Sequence, residues 1–323
     1  MELSSPDLEW REQKALIIGR AYPEPSKKHI ETVCTGAITE DGQLLRLYPI
    51  SWRYLGENQK YQLWTWARFK IRKSSDDKRK ESYRVLEDSI TILSKVESPA
   101  EQFSLLSRAI VPDRETLERQ YCEDWTSMGL VEIEMIDFLT TKPRTNWEQA
   151  KPYIKQSRLD LEVKPLEQSP LDMKLKFRCK NNPSCKTHLC RLIGWEYMQA
   201  FRSFRVRYGS DSEAIAMVKN EVRRRFSKSG TLAYALLGTH WRYAVWMVGQ
   251  LYFFPSDLPG MLFWAIIYLT KRAGCAIIEA WKENPPPSKR QSYTSPIPTT
   301  VGDSWWSGAG PMASPAQRAA APM

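Results

Sequence analysis

Thr32-Val33-Cys34-Thr35-Gly36-Ala37-Ile38 and Leu44-Leu45-Arg46-Leu47-Tyr48-Pro49-Ile50 flank the five residues Thr39-Glu40-Asp41-Gly42-Gln43. Two runs of β-branched and apolar residues joined through Asp-Gly form a hairpin signal, because glycine accepts the positive φ of a tight turn. Upstream, Lys14–Gly19 reads as a short strand, and residues 21–28 as a loop, since two prolines do not fit a central strand. Downstream, Leu63–Arg72 alternates apolar and basic residues, the pattern of a half-buried strand. Ser74–Glu81 is a charged loop and Ser89–Leu93 a further strand. Residues 1–95 therefore read as a mostly β module.

Farther along, Pro99–Gly129 reads as helical, with Thr116, Leu117, Gln120 and Tyr121 at helical spacing and Gly129 as the stop. Val131–Leu139 reads as a strand, and residues 143–170, with four prolines, as an irregular linker. Residues 96–170 are thus expected to be a helical and irregular connector. Residues 171–257 form a Cys/His and basic-helix module. Trp195–Val206 is its first helix, and Tyr208-Gly209-Ser210 is a break. Ser210 and Glu213 form an S-x-x-E capping box. The helix they open runs to about Phe226, with Ile215, Val218, Val222 and Phe226 on one stripe. Leu232–Leu237 and Val245–Phe254 follow as strands. Residues 258–284 are an apolar segment, and residues 285–323, rich in Pro, Ser, Ala and Gly, read as a disordered tail. The expected fold class is α+β.

Hydrophobic residues make up 42% and charged residues 26% of the 323, which excludes wholesale disorder, collagen and coiled coil. The acidic start Met1–Glu9 has no apolar core of a secretory signal. Tyr243–Thr270 holds one charge, Asp257, but Pro255–Gly260 cuts it into pieces too short to span a bilayer as helices. The formal net charge is +10. Between Leu171 and Gly230, fourteen Lys and Arg face five acids, so this window carries +9 of it. Concentrated positive charge beside aromatic residues is the footprint of a phosphate-backbone binder, and a solvated basic face is the plainer alternative.

Of six cysteines, Cys179, Cys185 and Cys190 lie within 12 residues, with His188 among them. Thiolate and imidazole are the ligands tetrahedral zinc prefers, and Asn181–Ser184 is turn chemistry that lets Cys179 and Cys185 face one centre. The four expected metal ligands are Cys179, Cys185, His188 and Cys190, with His240 or Cys34 as alternatives for the fourth. A closed site would be structural, and an open one could activate water. Glu196 is the nearest candidate general base. Catalytic residues are otherwise unassigned. P-loop, G-x-G-x-x-G, H-E-x-x-H and G-x-S-x-G patterns are absent. His29 with Cys34 is a weak Cys/His pair, and Leu47–Arg53 reads as core packing, with base stacking as its second use.

The helix pair resembles a helix-turn-helix in outline. Arg202, Arg205, Lys219, Arg223, Arg224 and Arg225 are its expected nucleic-acid contacts.

Tyr22-Pro23-x-Pro25-Ser26-Lys27-Lys28, Glu31-Thr32-Val33-Cys34, Arg46–Ile50, Cys185-x-x-His188, Trp195-Glu196 and Gly238-Thr239-His240 together resemble a family of uncharacterised bacterial proteins. The resemblance covers about four-fifths of the chain and implies a bacterial cytoplasmic protein. Cys179, Cys185 and His188 match its pattern, and Cys190 does not.

The function expected is nucleic-acid binding, DNA ahead of RNA, around a structural Zn2+ site, in a defence or mobile-element context and with room for a protein partner. The alternatives are a metal-dependent nuclease and a membrane-associated accessory protein.

Overall fold

The computed structural model describes residues 9–26, 28–141, 166–169, 171–240 and 243–258. The expected tail 285–323 and the apolar segment 258–284, Leu258 apart, lie outside them.

The hairpin read from the sequence is β3 (Ile30–Ile38) and β4 (Leu44–Ile50). Gly42 has φ +91°, and a Cβ there would sit 2.5 Å from Arg108 Cβ. Glycine is therefore demanded by both conformation and space. β1 (Arg11–Arg20) pairs antiparallel with β3 and with β5 (Thr65–Lys73). β5 pairs antiparallel with β6 (Ser82–Lys95), and β6 runs parallel to β4. The ring β1-β3-β4-β6-β5 is closed, with β2 (Glu24–Ser26) added on β3.

A second ring repeats this plan. β8 (Met128–Thr141) pairs antiparallel with β9 (Asp172–Cys179) and β11 (Thr231–Thr239). β9 pairs with β10 (His188–Leu192), β10 runs parallel to β12 (Trp246–Pro255), and β12 closes on β11. β7 (Ile110–Val111) is added on β8. In both rings the strand order is 1-2-3-5-4, with the single parallel contact between the third and fifth strands. A five-stranded Greek-key ring of this kind is an OB-type barrel.

Helices fill the connections. α1 (Pro99–Ser107) and α2 (Arg114–Asp124) join the barrels, and α3 (Trp195–Tyr208) and α4 (Asp211–Ser227) lie between β10 and β11. The capping box is as read: Ser210 Oγ accepts the Glu213 N–H at 3.2 Å and donates to Glu213 Oε2 at 3.0 Å. Gly209, at φ +80°, ends α3. Gly129 does not stop a helix. α2 ends at Trp125, which has φ +63°, and Gly129 sits in β8, where a Cβ would meet Leu117 Cδ2 at 2.6 Å. Within the expected connector 96–170, β8 is therefore a barrel strand. The described part of the 243–270 run is mainly β12, and no helix among the described residues is long and apolar enough to cross a membrane.

The alternation of β1 explains how the barrels join. Ala15 and Ile17 belong to the core of the first barrel with Leu45, Leu47, Phe69 and Ile71. Leu16 and Ile18 point the other way and pack with Leu130, Tyr234, Leu236, Tyr252 and Phe254 of the second barrel. A strand buried on both faces reads as a continuous apolar run, which is what Ala-Leu-Ile-Ile is. Gly194 and Gly249 allow close approach within the second barrel: a Cβ on Gly194 would lie 2.8 Å from the Gly249 carbonyl oxygen and 2.9 Å from the Tyr197 ring. Backbone cannot yield as a side-chain tip can. Gly194→Ala is therefore expected to cost about 2 kcal/mol. Thermal denaturation should show a midpoint lower by several degrees, and an unchanged midpoint would contradict this packing.

Candidate metal centre and basic strand face

β9 ends at Cys179 and β10 begins at His188. The turn between them is fixed by Asn182, whose N–H donates to the Cys179 carbonyl at 3.4 Å and whose carbonyl accepts the Cys185 N–H at 2.9 Å. Asn182 Oδ1 also accepts the Ser184 N–H at 3.0 Å, and Asn182 Nδ2 donates to Asp113 Oδ2 at 3.0 Å. Asp113 is the N-cap of α2, its Oδ1 accepting the Thr116 N–H at 2.7 Å. The same side chain thus ties the turn to the start of α2, and Glu115 lies in the first turn of that helix.

The result is a group of four: ligand atoms of Glu115, Cys179, Cys185 and His188 all lie within 4.8 Å of one another. Cys185 Sγ is 3.1 Å from His188 Nε2, and Glu115 Oε1 is 3.4 Å from the same nitrogen. Two ligands of a tetrahedral zinc stand roughly 3.5 Å apart, so the group needs only a small contraction. Both sulfurs accept backbone N–H bonds, Cys179 Sγ from Arg114 at 3.4 Å and Cys185 Sγ from Cys179 at 3.2 Å. Such bonds favour thiolates. Glu115 Oε2 is buried with no hydrogen-bond partner among the described residues, and a cation at this point would satisfy it. Without a cation, burial pushes the Cys179 thiol up, and burial together with the Arg114 charge holds His188 below the ordinary imidazole range. The donor set fits a metal.

Of the four ligands expected from the sequence, Cys179, Cys185 and His188 lie in this group, which has Glu115 and not Cys190 as its fourth member. The reason is strand geometry. His188 and Cys190 face the same side of β10, about 6.7 Å apart along the strand. Arg114 enters this gap, with Nη1 2.9 Å from His188 Nδ1 and 3.9 Å from Cys190 Sγ. Burial leaves Cys190 a thiol of raised pKa. His240 and Cys34 are not in the group either. Arg114 Nη2 is also held by Glu118 Oε1 at 2.8 Å. A metal held through Nε2 would leave the His188 proton on Nδ1, and two thiolates, a carboxylate and a divalent ion would sum to one negative charge beside the Arg114 guanidinium. Glu196, the nearest candidate base in sequence, is outside the group. It is buried beside Arg20, its carboxyl pushed up by that burial.

The arginines of the helix pair are largely engaged by acids. Arg202 Nε and Arg205 Nη1 hold Glu167 at 2.9 and 2.6 Å, and Arg224 and Arg225 both hold Glu221 at 2.8 Å. Arg223 pairs with Asp137 at 3.2 Å, and Lys219 is half-buried. α4 buries Ala214, Val218 and Val222, packing against β8 and β11 as part of the fold. This differs from the expected helix-turn-helix, whose second helix stands free to enter a groove.

One exposed positive row lies on β9, and β5 carries another in Arg68, Lys70 and Arg72. The β9 pattern alternates buried Met173, Leu175 and Phe177 with Lys174, Lys176 and Arg178, the last two exposed. Register sets Leu189, 53% exposed, beside Lys176, and Arg191 beside Lys174. Sequence reasoning counted these charges without resolving the row, although the period-two alternation was its signal.

A search of curated proteins returns no match. Among solved structures, a murine DNA-binding protein bound to double-stranded DNA is similar at 9% identity, covering 77% of this chain and 97% of that one. Its TM-score of 0.29 gives it no weight as a guide to fold or ligand. Residues 11–108 match the family model DUF8758 and residues 114–267 match DUF8757, so the two barrels fall in separate models and the chain joins two domains of unknown function.

Proposed function

We propose that this chain binds single-stranded nucleic acid across the outer face of β9 and β10, and that a structural Zn2+ held by Glu115, Cys179, Cys185 and His188 fixes the turn joining those strands. The observation that carries the reading is the row Lys174, Lys176, Arg178 and Arg191 on the second and third strands of an OB-type barrel. By fold-level analogy, this is the face on which such barrels take oligonucleotides. Lysine and arginine supply phosphate contacts, and Leu189 offers apolar surface to a base. Zinc is the metal proposed because thiolates and imidazole select it over magnesium or calcium. Four ligands close the site, so its role is structural. Arg223 adjoins the row through Asp137, which also lies close to Lys176. The remaining helix arginines contribute long-range positive field.

The test is a titration of labelled single-stranded DNA and RNA oligonucleotides at several salt concentrations. About four phosphate contacts should give a log–log slope near −3. A slope near zero, or no binding at low salt, contradicts the reading. Asp137→Asn removes a carboxylate from between Lys176 and Arg223, and at low salt affinity should rise by up to about fivefold. A fall would mean that Asp137 serves the site in another way.

A further inference from the structure

A cavity of about 370 Å³ opens between the barrels, within the usual size of a small-ligand site. Tyr22 and Tyr48 line it from the first barrel, and Arg191, Thr239 and His240 from the second. Arg46 and Arg79 also line it. Arg46 is 6% exposed, and its hydrogen bonds among the described residues go to neutral groups: the Thr239 carbonyl at 3.2 Å, and the Ser127 carbonyl and hydroxyl at 3.1 and 3.0 Å. Its Nε is buried with no partner, as is Thr239 Oγ1. Arg79 reaches the same Thr239 carbonyl at 2.6 Å while Asp77 holds its other side. Two guanidinium groups therefore converge on one carbonyl, and their mutual repulsion lowers the Arg46 pKa further after burial itself. Buried polar atoms without partners, in a wall that also carries cations, are what an anionic ligand would satisfy.

Placement supplies the second half of the argument. Arg191 belongs both to the basic row of β9–β10 and to the cavity wall, where its Nη2 is held by Asp172 Oδ1 at 2.9 Å, and Asp172 and Met173 at the start of β9 line the cavity too. A strand lying along the row therefore runs into this cleft. Tyr48 is 42% exposed, and its hydroxyl is anchored to Thr32 Oγ1 at 3.3 Å. An anchored, accessible ring is a stacking platform.

We infer that the cleft receives one nucleotide of the bound strand, its phosphate toward Arg46, Arg79 and Arg191 and its base against Tyr48. This rests on the strand-face reading above, and it adds a pocket that would also take a free 5′-mononucleotide.

The test measures binding of each of the four 5′-mononucleotides, and of inorganic phosphate, to the full chain by calorimetry, beside oligonucleotide binding. At least one mononucleotide should bind more tightly than phosphate, and Tyr48→Ala should weaken it by about tenfold. Tyr48 is exposed, so that variant should fold. Arg46→Gln is the second variant, read only after its circular dichroism matches wild type, and it should remove both mononucleotide and phosphate binding. If oligonucleotides bind with the expected salt slope but mononucleotides do not, or bind Tyr48→Ala unchanged, the pocket is refuted and the strand face stands. If phosphate binds as well as every mononucleotide, the cleft is an anion site without a base subsite, and the inference is likewise overturned. If oligonucleotides fail too, the underlying reading falls.

Discussion

Cys185→Ser should release the metal and lower the thermal midpoint by roughly 10 °C. A ligand present at a thousand times its dissociation constant contributes about 4 kcal/mol to the folded state. In a domain of this size each kcal/mol moves the midpoint by roughly 2–4 °C. Cys185 lies at the centre of the group, its sulfur 3.1 Å from His188 Nε2 and bonded to the Cys179 N–H at 3.2 Å. A hydroxyl there is a poor zinc ligand. The informative comparison is Cys190→Ser, because Cys190 is equally buried but outside the group. That variant should keep its metal. Chelator should lower the midpoint of wild type and of Cys190→Ser, and leave Cys185→Ser where it is. Equal metal loss in the two serine variants would return Cys190 to the ligand set and remove Glu115 from it.

Replacing Lys174, Lys176 and Arg178 together by Gln should cost about 100-fold in oligonucleotide affinity at low salt and flatten the log–log salt slope by about 2. Each phosphate neutralised on a single strand contributes roughly 0.7 to that slope. The three side chains project from the outer face of β9, while Leu175 and Phe177 between them are fully buried. The substitutions therefore leave the core intact, and the thermal midpoint should hold. Replacing Arg202, Arg205, Arg224 and Arg225 by Gln should have a much smaller effect on binding, because Glu167 and Glu221 already engage those groups. If the helix set lost more affinity than the strand set, the binding face would belong to the helices.

The parts of this molecule legible in its sequence are those set by neighbours along the chain. Asp41-Gly42 fixed the hairpin, Ser210 with Glu213 fixed the start of α4, and the spacing of Cys179, Cys185 and His188 brought three metal-binding side chains together at one turn. The fourth member of the group, Glu115, was not legible. Glu115 reaches the group through the Asp113 cap and its bond to Asn182, a contact between segments about 70 residues apart. Barrel closure is equally non-local, since β8 must pair with β9 and β11 at once. The acid partners of the helix arginines were not legible either, because Glu167 lies in a stretch that reads only as linker. The alternation in β9 was available, but a net charge summed over sixty residues hides which face carries it.

In the proposed function the metal-bound turn holds the basic strands in a binding-competent register. The most direct measurement is the salt dependence of oligonucleotide affinity in the zinc-loaded chain and in the same chain after chelation. A steep slope is expected with zinc, and a weaker affinity with a flatter slope once the ion is removed, restored on adding zinc back. Affinity and slope that stay the same after verified removal of the metal would contradict it.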